Sequence, residues 1–164
     1  MRRCVRLVPL VALAALSIAS VGTAGGGGLA KVQGKGTVDF GGSEPSEVAI
    51  AAVRTPDGTV NGHVVQTDPG HGSITLEVSC IRPSTITTTR VMLGGVIVSS
   101  YVPANIGQEA LYIVDDLSSL GGGQVDQIGG AGLGSGASTC PFDPGSVVSP
   151  LYPLITGNFK LTTH

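Results

Sequence analysis

Ile74-Thr75-Leu76-Glu77-Val78-Ser79-Cys80 alternates apolar and polar side chains through seven consecutive residues. That period of two is the mark of a β-strand with one face buried and the other wet. It puts Ile74, Leu76, Val78 and Cys80 together on the core face. The segment is entered from Asp68-Pro69-Gly70-His71-Gly72 and broken by Arg82-Pro83-Ser84, both rich in turn formers. Working outward, shorter runs of the same kind follow one another. Residues 37–40 and 47–54 read as strands, and Thr55-Pro56-Asp57-Gly58 turns the second into another at 59–67, because Pro pre-sets φ and Gly accepts positive φ. Residues 85–99 give one or two more strands, with Gly94-Gly95 marking a bulge or bend. Residues 109–114 and 154–162 complete the set, Phe159 and Leu161 pointing inward. No segment carries a long 3.6-residue period. The pattern predicts an all-β fold, a small antiparallel β-barrel or sandwich of about seven to nine strands.

Ahead of this domain lies an export signal. Arg2, Arg3 and Arg6 lead into an apolar run from Leu7 to Ala19, and small residues follow as far as Ala24. Charged, apolar and small segments in that order predict a Sec-type signal-peptide helix over residues 1–24, cut between Gly22 and Ala24. The run is interrupted by Pro9 and falls short of the roughly twenty apolar residues of a membrane-spanning helix. An uncleaved anchor is the rival reading. Cys4 precedes the apolar run, where a lipoprotein would need its Cys behind it. Residues 25–36 read as a flexible Gly-rich leader, and residues 37–164 as a single β domain with a long Gly/Pro-rich loop at 115–153. That loop is either an excursion or the cover for short strands near 125–128 and 147–151.

Removal of the signal changes the arithmetic. Nine basic residues become six against eleven acidic ones, a net charge of −5 (6 − 11). The remaining cations, Lys31, Lys35, Arg54, Arg82, Arg90 and Lys160, are scattered. Nucleic acid and anionic membrane surfaces both require clustered cations, so neither is expected as a partner. With Cys4 gone, only Cys80 and Cys140 remain, and in an oxidising compartment one disulfide is the economical reading.

The chain also resembles a group of secreted actinobacterial β-barrel proteins with a post-COAP-1-like domain. The resemblance rests on the Gly-rich leader before Thr37-Val38-Asp39-Phe40, on Asp57-Gly58-Thr59-Val60, Gly62-His63-Val64, Leu76 and Val78 with Cys80, and on Gly95-Val96-Ile97. It continues through Val114-Asp115-Asp116, Asp126-Gln127 and Gly157-Asn158-Phe159. The sequence departs from that group at Asp116 and at Gln124-Val125. The resemblance implies a secreted β-barrel and implies no activity.

Candidate sites are few. Asp115, Asp116 and Asp126 beside a glycine-rich loop offer hard oxygen ligands for calcium, although the spacing is not that of an EF-hand. His63, Asp68 and His71 flank one turn and could meet at a zinc ion. Nucleophile elbows and phosphate loops are missing, and Gly134-Ser135-Gly136 reads as linker. No cofactor is expected. The leading expectation is a secreted or surface-associated non-enzymatic β-barrel module. A small-ligand carrier is the first alternative, suggested by small residues taken as inward-facing (Ala49, Ala51, Gly62, Gly95), and a barrel enzyme of the isomerase or cyclase kind is the second.

Overall fold

The computed structural model describes residues 29–42, 44–146 and 150–164. The expected export signal (1–24), the glycine run 25–28 and residues 147–149 of the second hidden strand lie outside them. Eight strands follow in order: β1 (Ala30–Val38), β2 (Ser46–Arg54), β3 (Val60–Asp68), β4 (Gly72–Pro83), β5 (Arg90–Ser100), β6 (Glu109–Asp115), β7 (Gln127–Leu133) and β8 (Tyr152–Thr163). Each pairs antiparallel with its sequence neighbour, and β8 pairs with β1, closing a barrel. One end, here the upper, carries the connections 39–45, 69–71, 101–108 and the start of 134–151; the lower end carries 55–59, 84–89 and 116–126.

Alternation dictates what fills the barrel. On β2, Ser46, Val48, Ile50 and Ala52 are buried while Glu47, Ala49 and Ala51 are exposed. Ala49 and Ala51 therefore face outward, contrary to the expectation from sequence, since the buried register is set by the larger Val48 and Ile50. Val32, Ile50, Val64, Val78, Leu93, Val114 and Phe159 form the continuous interior. Lys31, Gln33, Lys35, Asn61, His63 and Glu77 are exposed on the outside. This apolar-in, polar-out order is the reverse of a lipid-facing barrel wall. Among the described residues no helix is long and apolar enough to cross a membrane.

Two elements differ in extent from the sequence reading. The leader does not extend to residue 36, because β1 begins at Ala30, with Ala30 and Val32 fully buried. Glycine disguised it. A Cβ at Gly34 would lie 2.2 Å from the Asn158 carbonyl oxygen, and one at Gly157 would lie 2.1 Å from that of Lys35, so the β1–β8 seam closes only with side chains absent there. Inside the expected loop the alternative of a hidden strand near 125–128 holds, and that strand, β7, runs on through glycine to Leu133.

Cys80 is the second kind of correction. Val78 stands opposite Gly95 and Cys80 opposite Gly94, which leaves Ser79 as an extra residue, a β-bulge. The bulge reverses the parity, so Ile81 enters the interior and Cys80 turns outward. There it forms a disulfide with Cys140. With Met92, Ile113, Leu111 and Leu151 the pair builds a small second core on the outer wall. Residues 134–146 thus form a strap down the outside of the barrel. Glu109 accepts the backbone N–H of Gly136, Arg82 Nη1 donates to Cys140 O (3.1 Å), and Asp143 accepts from Ser84 Oγ (2.8 Å) and Thr85 N (2.8 Å).

Candidate functional site

The interior is filled in its middle and lower parts, and the space that remains lies at the upper mouth. A cavity of about 450 Å³ is bounded by Phe40, Gln66, Ile74, Leu76, Ile97, Tyr112 and Tyr152, with Leu133 and Pro150 at its edge. Phe40, directly after β1, packs edge-to-face on Tyr152 at the head of β8, ring centroids 5.5 Å apart. The walls are thus part apolar and part polar: Asn105 comes from the 101–108 connection, and two further polar groups come from inward-facing positions of β3 and β6.

Those polar groups form one chain. Tyr112 OH donates to Gln66 Oε1 (2.9 Å), and Gln66 Nε2 donates to Asp68 Oδ1 (2.9 Å). Asp68 also accepts from Ser46 Oγ (2.6 Å) and from Tyr101 OH (2.7 Å), and the Tyr101 ring stacks on His71 at 5.8 Å. Partial burial pushes the Asp68 carboxyl up, but hydrogen bonds from Ser46, Tyr101 and Gln66 and the neighbouring His71 outweigh it and hold the group below its ordinary value. Tyr101 is raised by its hydrogen bond to Asp68, and Tyr112 is raised by burial and by the charge of Asp68, so both phenols stay protonated. A second recess of about 370 Å³ opens beside the cavity and is bounded by Phe40, Gly42, Glu44, Ser46, Asp68, His71 and Tyr101.

The candidate ligands for metals are placed otherwise. Asp115 points to the outside of β6 and takes Arg90 in a two-pronged ion pair (2.7 and 3.0 Å through Oδ2). Asp126 accepts the backbone N–H of Phe159 (2.6 Å) and of Ser118 (2.7 Å), while Asp116 accepts those of Leu161 (2.8 Å) and Ser119 (3.1 Å). The physical reason is the stagger of the barrel. β7 pairs with β8 only through Gln127 and Ile128, so N–H groups further along β8 that face away from β1 meet no strand, and the two carboxylates take the place of the missing ladder. His63 lies on the outer face of β3, opposite Glu77, whereas Asp68 has the other parity and belongs to the mouth. Only Asp68 and His71 come together. Among the described residues no group of three or more His, Cys, Asp or Glu could hold a metal ion.

Sequence reading missed Tyr112, Gln66, Tyr101 and Phe40. A signal was present for two of them, since Gln66 shares the inward parity of Val64 and Tyr112 that of Val114. Comparison with protein-family models, curated proteins and solved structures finds no match to this chain.

Proposed function

We propose that this chain is an exported, non-enzymatic small-molecule-binding barrel that takes an apolar ligand with one polar end into its upper mouth. The observation that carries the reading is the cavity of about 450 Å³ that Phe40, Ile74, Leu76, Ile97 and Tyr152 line, with the Tyr112–Gln66–Asp68 chain at one side. Small-molecule sites commonly have this volume, roughly 300–1,000 Å³, with few and fixed polar groups. The location follows from the expected signal over residues 1–24 and is supported by the Cys80–Cys140 disulfide, a bond typical of oxidising compartments.

The test is saturable binding of a neutral apolar dye such as Nile red, followed by fluorescence. Ile74→Trp places a large ring in the cavity and is expected to abolish the signal while the far-ultraviolet circular dichroism stays that of a β-barrel. Equal dye binding by this variant, or none by the wild type, would overturn the proposal.

A further inference from the structure

The geometry points to an amphiphilic amine as the ligand class: its apolar body in the main cavity, its ammonium group in the adjoining recess against Asp68. This rests on the reading of the mouth as a ligand site. The two concavities are adjacent, since Phe40 and Gln66 border both. A molecule with an apolar body and a short polar head would reach from one into the other.

Hydrogen-bond direction decides the sign of the head. The hydroxyls of Ser46 and Tyr101 and an N–H of Gln66 all donate to Asp68, and the Tyr112 hydroxyl donates to Gln66. These donors are thus turned on one carboxylate and its chain, and a ligand head that reaches Asp68 meets acceptor lone pairs. A carboxylate head would find like charge, whereas an ammonium finds a preoriented anion. The rings of Phe40 and Tyr101 border the same recess.

The net charge of the barrel leans the same way. Asp39, Glu44, Glu47, Asp68 and Glu109 stand at the upper end of their strands or in its connections. At the lower end Asp57, Asp115, Asp116, Asp126 and Asp143 are balanced by Arg54, Arg82 and Arg90 at the ends of β2, β4 and β5 and by Lys31 and Lys160 low on β1 and β8, while Lys35 lies on the outer face of β1. No Lys or Arg borders the cavity or the recess, and His71, stacked on Tyr101, is the basic residue at the rim. A field of this shape draws cations to the mouth.

Isothermal titration of the mature protein with decylamine, decanol and decanoate, at one pH and ionic strength, tests the inference. Decylamine is expected to bind roughly tenfold more tightly than decanol, as an ion-assisted hydrogen bond allows, and decanoate more weakly than either. In Asp68→Asn the ratio of decylamine to decanol affinity should fall to about one. The second measurement uses the wild type alone: added salt should weaken decylamine binding and leave decanol binding unchanged. A wild-type ratio near one, a ratio untouched by Asp68→Asn, or salt-independent decylamine binding overturns the amine assignment while decanol binding keeps the cavity reading intact. Binding of none of the three overturns both.

Discussion

Asp126→Asn is the sharpest test of how the lower barrel is closed. Asp126 is 2% exposed, and its two carboxylate oxygens accept the N–H groups of Phe159 and Ser118. Hydrogen bonds to charged groups contribute about 1.5–3 kcal/mol each. Asn keeps one acceptor and turns an NH2 donor on the other N–H, so one bond is lost and two donors face each other; the expected cost is about 2–3 kcal/mol. Asp126→Ala removes both acceptors and leaves the N–H of Phe159, itself 1% exposed, without a partner, for about 3–6 kcal/mol. Against a total stability of about 5–15 kcal/mol this is a large fraction. Urea unfolding followed by circular dichroism would measure it, with the exposed Glu77→Gln as a control expected to stay within about 0.5 kcal/mol. The same reasoning predicts equal melting temperatures in millimolar calcium and in chelator, because these carboxylates are already engaged by backbone. A cost below about 1 kcal/mol for Asp126→Asn, or a melting temperature several degrees higher with calcium, would refute it.

Three further outcomes concern the strap. Gly94→Ala would put a Cβ 2.0 Å from Ala137 O and 2.6 Å from Cys80 Sγ, so it should cost about 1–3 kcal/mol, whereas Gly134→Ala, with nothing within 4 Å, should be near neutral in the same urea titration. The double variant Cys80→Ser/Cys140→Ser opens a link spanning 60 residues and should lose about 4 kcal/mol by the chain-entropy relation, read as a lower urea midpoint. Asp143 is held below its ordinary value by hydrogen bonds from Thr85 above all, and Glu109 by Ser138. Groups with depressed folded values stabilise fully above their unfolded values, about 3.9 for Asp and 4.3 for Glu, and lose that contribution as pH falls through the folded ones. The strap amides should therefore lose protection, read as exchange relative to the intrinsic rate at each pH, below about pH 4 while the β2–β3 amides do not; a uniform change across both would refute the local release.

The strand positions were legible where side chains alternate in size and polarity. β2 and β4 carry Val, Ile or Leu at successive alternate places, β6 is a short apolar run, and the limits of all three fall within a few residues of those read from sequence. β1 and β7 were hidden because their closest approaches are made through glycine, which carries no pattern. A bulge hides in another way, since Ser79 looks like any outward Ser yet moves Cys80 and Ile81 to opposite faces. The mouth was the least legible part: Tyr112, Tyr101 and the β3 pair Gln66 and Asp68 come from three places in the chain and are joined only by closure. The acids near residues 115–126 stood out instead, and backbone geometry gives them their work.

The pairing of β1 with β8 sets the order of events as the chain emerges during its synthesis. Every other pairing between strands joins neighbours in sequence, so hairpins can assemble as they appear. The Ala30–Thr163 pairing cannot form until the final dozen residues are free to fold. Through that interval the first strand keeps an unpaired edge, which any other extended chain could join. The outermost residues of the domain are thus the last to be secured, and a chain stopped short of Tyr152 would remain an open sheet with two edges rather than a weakened barrel.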